Sequence, residues 1–145
     1  MNVAFFLTPK SAVIWLPTNA TMRYAIERME STGYAALPLL DPHGRYVGTI
    51  TEGDLLRKLV HTEGLDSHGT GGVRLDDVPV RRLIRPVGID AEVEELFNRA
   101  IEQNFVPVVD SRGAFIGIVR RREILEYSAG ALRRRDGPDE GAAMT

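Results

Sequence analysis

The chain has 145 residues, 43% of them apolar and 26% charged, with a formal net charge of -2. That is the composition of an ordinary soluble globular protein, large enough for one shared core or two small lobes, and it offers no global attraction to nucleic acid or to an anionic membrane. With no cysteine at all, disulfides, zinc–thiolate sites, iron–sulfur clusters and a cysteine nucleophile are excluded.

Taken in chain order, the apolar run Val3-Ala4-Phe5-Phe6-Leu7 is too short to span a bilayer. It has no basic stretch before it and stops at Thr8-Pro9, so it does not read as a signal peptide, and the protein is expected in the cytoplasm. Residues 12–16 read as a strand and 17–19 as a turn. A helix is predicted over 20–30, with Met22, Ala25, Ile26 and Met29 on one apolar stripe, Thr21 or Asn19 as its cap and Gly33 at its end. Two β-rich runs, 35–40 and 46–50, flank the turn Asp41-Pro42-His43-Gly44 and form a hairpin. A second helix follows over 52–60.

The second half repeats the first. Residues 38–56 align without a gap on residues 107–125 at a constant offset of 69, and the turn Asp110-Ser111-Arg112-Gly113 falls where the first hairpin has its own. Upstream, Val93, Leu96, Phe97 and Ala100 match the first helical stripe at an offset of 71, so the second copy has lost two residues in a loop. Each copy reads strand, helix, strand, strand, helix. Two units of about 60 residues each bury too little surface alone and are expected to fold as one body.

Four segments divide the chain: a first unit over 1–62, a flexible Gly-rich connector over 63–75, a second unit over 76–129, and a tail over 130–145 that is expected to be largely disordered. Asp77-Val78-Pro79 reads as a helix start. The three histidines stand apart from other ligands, and Glu92, Glu94 and Glu95 read as a solvated helix face, so neither a metal site nor a catalytic carboxylate pair is expected.

The sharpest local signal is the strand-to-helix junction Gly48-Thr49-Ile50-Thr51-Glu52-Gly53-Asp54. A helix start presents free N–H groups to a phosphate, and an aspartate beside it can accept hydrogen bonds from a ribose diol. Thr51-x-x-Asp54 is equally a capping box, in which the two side chains serve only the helix's own amides. The second copy replaces Thr51 by Arg120 and continues with Arg121, Arg122 and the acid Glu123. Arginines at a helix N-terminus oppose its dipole, a cost that a bound phosphate relieves.

With these junctions, Thr8-Pro9, the run 33–41, Arg85-Pro86 and the run 105–110, both halves resemble CBS motifs, and residues 3–128 are similar to a stand-alone CBS-domain pair, or Bateman module. The resemblance implies an α+β fold of tandem CBS domains: two βαββα repeats related by a pseudo-two-fold, with two clefts between them and often a disc-shaped homodimer. It implies a regulatory adenine-nucleotide sensor for AMP, ADP, ATP, S-adenosylmethionine or cyclic di-AMP, with cyclic di-AMP or ADP/ATP favoured here, signalling to an unidentified regulated protein. A ligand-free scaffold that recruits a partner is the alternative. No catalysis, cofactor, nucleic acid or membrane is expected.

The implied ligand contacts in the first cleft are Thr8, Lys10, Ser11, Tyr34, Ala35, Ala36, Pro38, Thr51 and Asp54. In the second they are Arg85, Phe105, Val106, Pro107, Arg120, Arg121, Arg122 and Glu123. The first set keeps the family's Thr and Asp and is expected to hold ribose and phosphate; the second departs from it at Arg85, Arg120 and Glu123, which adds positive charge.

Overall fold

The computed structural model describes residues 2–81 and 83–136. In the first repeat, strand β2 (Leu16–Pro17) leads into helix α1 (Met22–Thr32), strands β3 (Ala36–Leu40) and β4 (Tyr46–Thr51) form a hairpin, and helix α2 (Glu52–His61) follows. The second repeat has the same order: β5 (Val87–Gly88), α3 (Val93–Glu102), β6 (Phe105–Val109), β7 (Phe115–Arg120) and α4 (Arg121–Asp136). The expected α+β pair is therefore present. An additional short strand, β1 (Thr8–Pro9), lies not on the first repeat but antiparallel to β7 of the second.

Local chemistry explains the elements. The Thr21 hydroxyl caps α1 by accepting from Tyr24 N–H, and Gly33 closes it at φ 77 with its own N–H donated to the Met29 carbonyl. In both hairpins an aspartate side chain holds the turn: Asp41 accepts from the His43 and Arg45 amides, and Asp110 from those of Arg112 and Ala114.

The strand expected over 12–16 is displaced. Lys10–Ala12 is a 3-10 turn, and β2 begins only at Leu16, where it pairs in parallel with Leu39 and Leu40. Leu40 turns its carbonyl to this side, accepting from Thr18, so Pro38, two residues earlier, should present an N–H to the same neighbour and has none. The parallel ladder stops there, and residues 13–15 lie outside any strand. Pro107 stands at the same point between β5 and β6.

The expected pseudo-symmetry is visible at its axis. Tyr46 and Phe115, related by the offset of 69, stack at 6.3 Å. The Phe115 amide donates to the Gly44 carbonyl and the Tyr46 amide to that of Gly113, one contact seen from each repeat. Leu40, Phe115 and Ile118 seal this seam between two larger cores. One core gathers Leu16, Met22, Leu37 and Ile50; the other gathers Leu96, Val106, Val108 and Val119 with Val3 and Phe6 from the N-terminus.

The segment expected to be a flexible connector is packed. It makes 3-10 turns at Gly69–Gly72 and Leu75–Asp77, and it returns along the start of α1 through Met22 N–H to the Val73 carbonyl and Leu75 N–H to that of Ala20. Leu75 and Val78 bury in the first core, which outweighs the Gly-rich composition and holds residue 78 extended where a helix start was expected. Helix α4 continues to Asp136, beyond the expected start of disorder; residues 137–145 lie outside the described residues.

Candidate functional site

The two parallel ladders that end at Pro38 and Pro107 leave space beside them. On one side this space is an open cleft of about 350 Å³. Its walls come from both repeats: Tyr34, Ala35, Ala36 and Pro38 at the start of β3, Val13 and Ile14 ahead of β2, Asn104 and Phe105 at the start of β6, and Ile118, Arg120 and Arg122 across the β7–α4 junction. The walls are mostly apolar, and the charge is confined to two guanidinium groups. Such a cleft suits a flat apolar ring with an anionic substituent.

Arg120 is held in place. It donates to the Thr8 hydroxyl at 3.3 Å and to Glu123 at 3.4 Å, while the Thr8 hydroxyl donates to Glu123 at 3.1 Å. Strand β1 makes this possible by bringing Thr8 opposite Ile118. A side chain on Gly117 would place Cβ 2.2 Å from the Thr8 carbonyl oxygen, so this close approach needs glycine. Arg122 is largely exposed and pairs with Glu126 at 3.0 Å.

The other predicted residues separate. Arg121 points away: its Nε donates to the Ala100 carbonyl at 2.6 Å and its Nη2 to that of Ile101, which terminates α3. Lys10 sits over the Trp15 ring at 5.1 Å from its centroid, and Ser11 is exposed on the same turn. Val106 and Pro107 are buried in the body of β6 rather than lining the cleft.

Thr51 and Asp54 form a complete capping box, with Asp54 N–H donating to the Thr51 hydroxyl and Thr51 N–H to the Asp54 carboxylate. Asp54 is 1% exposed, and its other oxygen accepts from Arg57 at 2.5 Å and from the Arg81 amide at 3.1 Å. The side chains expected to hold ribose are thus engaged with the protein itself.

The position related by pseudo-symmetry to the open cleft is filled. Gln103, which stands where the first repeat has Tyr34, is 6% exposed; its amide accepts from Arg85 N–H at 2.9 Å and donates to the carbonyls of Arg85 and Phe105. Tyr46 donates to the Ile84 carbonyl at 2.8 Å and meets the Thr49 hydroxyl at 2.7 Å. Burial pushes the Tyr46 phenol up to about 12, partly offset by the bond to Thr49.

One sequence match is corrected here. Because β2 corresponds to β5 at an offset of 71, Arg85 stands at the place of Ile14 in the first repeat rather than at that of Thr8. The same offset would have disclosed Ile14 as a lining residue. Gln103 also went unnoticed, although a buried polar residue between α3 and β6 was its available signal.

Comparison with known proteins fits this architecture. The CBS domain family model matches residues 7–61 and 75–130. The cyclic di-AMP receptor B of Bacillus subtilis (strain 168) is 24% identical over 125 residues, which cover 86% of this chain and 84% of that protein. A crystal structure of CbpB in complex with c-di-AMP superposes with a TM-score of 0.84 at 21% identity, covering 97% of this chain and 91% of that one. The Listeria monocytogenes CbpB protein in complex with c-di-AMP gives 0.77 at 22% identity, covering 90% and 96%. With two matched copies packed about a pseudo-two-fold, the chain belongs to the CBS domain family and is a tandem CBS pair.

Proposed function

We propose that this CBS pair is a regulatory module that senses an adenine ligand, cyclic di-AMP or ADP/ATP, in the cleft between Tyr34 and Arg120. The observation that carries the proposal is the asymmetry of the two pseudo-equivalent spaces. One is open, apolar and edged by Arg120 and Arg122; the other is closed by Gln103 and by the bonds that saturate Asp54. Ile14, Ala36 and Pro38 then take the base, and Arg120 and Arg122 take the phosphates. Glu123, the part-exposed counterpart of Asp54, steadies Arg120. The Bacillus relative and the CbpB complexes support cyclic di-AMP as the first ligand to try.

The module acts by binding rather than by catalysis and uses no cofactor; among the described residues no helix is long and apolar enough to cross a membrane, and we place its work in the cytoplasm. Exposed Leu56 and Leu125 lie in matching grooves, one between α1 and α2 and one between α3 and α4. These grooves support a homodimer, whose geometry a ligand in the cleft adjusts and a regulated protein reads. Ligand controls that equilibrium only by binding its two states unequally.

A thermal-shift panel with AMP, ADP, ATP, cyclic di-AMP and S-adenosylmethionine tests the reading. A ligand present at about 100 times its Kd adds about 2.7 kcal/mol of stability. A raised melting temperature with cyclic di-AMP, ADP or ATP is expected. No shift with any of the five leaves the ligand-free scaffold as the better description.

A further inference from the structure

A second cavity, of about 400 Å³, lies away from the adenine cleft, between α2 and the segment that precedes β5. Asp54, Arg57, Lys58 and His61 fall at i, i+3, i+4 and i+7 on α2, so they share one stripe of the helix, and Arg81 faces them from the other side. Among the described residues Asp54 is the lone acid in this lining, and its charge is spent: it is buried and bonded to Arg57, to the Arg81 amide and to the Thr51 amide. Among the described residues, neither the Lys58 nor the Arg81 side chain forms an ion pair. Arg57, Lys58 and Arg81 against Asp54 leave two uncompensated positive charges, to which the His61 imidazole adds a donor.

The fold does not require these cations. At the offset of 69 the second repeat has Glu126 and Tyr127 where the first has Arg57 and Lys58. There Tyr127 packs edge-on against Phe5 and Phe6 at 5.5 and 5.4 Å. Basic residues in the last turn of α2 complement the helix dipole, which accounts for Lys58 and His61 but not for Arg81 on another segment. What remains is a cavity that concentrates positive charge in a chain whose net charge is -2.

We propose that this cavity binds the diphosphate or triphosphate group of a small molecule, independently of the adenine cleft. Guanidinium groups on two facing walls match several phosphate oxygens at once, and a lysine between them adds a point charge. A single phosphate would leave one wall unused. An anion here would bridge α2 to the segment that carries Arg81, the same segment that closes the second cleft.

The test is calorimetric titration of the full chain, its adenine cleft saturated with cyclic di-AMP, with pyrophosphate, tripolyphosphate, ATP and citrate. Pyrophosphate or tripolyphosphate should bind and weaken about tenfold or more in the Lys58→Gln/Arg81→Gln variant. Both substituted side chains lie outside the cores, and an unchanged far-UV spectrum and melting temperature confirm that this variant folds. Tripolyphosphate binding more tightly than ATP identifies a free oligophosphate, and the reverse identifies a nucleotide tail. Three results overturn the proposal: no heat from either oligophosphate, equal affinity in the variant, or citrate binding as tightly. If instead cyclic di-AMP fails to bind while the oligophosphates bind as expected, the adenine reading falls and this site stands.

Discussion

Gln103 and Arg85 are fastened by two hydrogen bonds, one accepted from the Arg85 amide at 2.9 Å and one donated to its carbonyl at 3.1 Å. Tyr34, at the matching place in the first repeat, is 47% exposed and lines an open cleft. One pair of positions thus separates a closed space from an open one.

Gln103→Ala removes the side-chain partner of three backbone groups, the Arg85 N–H and the Arg85 and Phe105 carbonyls, at a cost of about 2 kcal/mol. Urea denaturation should show that loss. Amide exchange should show the Arg85 N–H, protected in the parent protein, becoming fast in the variant; unchanged exchange would mean that the bond does not hold the segment.

Asp54→Ala should damage the fold rather than ligand binding. The change deletes a buried carboxylate with three donors and strips Arg57 of its counter-charge, which costs about 3 kcal/mol. Affinity for cyclic di-AMP, measured at a temperature where the variant is folded, should stay within about threefold of the parent, because Asp54 does not reach the open cleft. A hundredfold loss would place Asp54 in the ligand site after all.

Much of this arrangement is legible in the sequence. The constant spacing of the two copies, the aspartate turns and the apolar stripes of α1 and α3 specify the repeats and their hairpins, because they rest on local chemistry and helix periodicity. The choice of cleft is not legible in the same way. It depends on a Gln103 side chain meeting Arg85 from 18 residues away and on Asp54 meeting Arg81 from 27 away, contacts that no local pattern encodes. The arginine run illustrates the middle ground: three consecutive residues at a strand-to-helix junction cannot share one face, and the fold sends Arg121 to α3 while Arg120 and Arg122 stay at the cleft.

Gly117 and Gly48, related by the offset of 69, should respond oppositely to alanine. At Gly117 the new methyl would meet backbone at 2.2 Å and must displace β1, which costs about 2 kcal/mol or more and loosens Thr8 from Arg120. At Gly48 nothing lies within 4 Å of the added atom, so Gly48→Ala should be neutral or slightly stabilising. Paired thermal melts check this, and equal destabilisation at both sites would contradict the packing of β1 on β7.

Tyr46 supplies a pH dependence with a definite sign. Its folded pKa of about 12 lies above the ordinary value of 10.0, so between these the unfolded chain releases a proton that the folded one retains. The contribution is complete below pH 10, and stability declines as pH rises from 10 towards 12. Spectrophotometric titration should show one tyrosine ionising late, absent from Tyr46→Phe; a Tyr46 that ionises near 10 would contradict its burial.

The most direct measurement is isothermal titration of cyclic di-AMP into the parent protein and into Arg120→Gln/Arg122→Gln. The predicted result is one ligand per chain in the parent and a weakening of about a hundredfold in the variant, which loses two charge-assisted contacts. Two ligands per chain, or equal affinity in both proteins, would contradict a single cleft edged by those arginines.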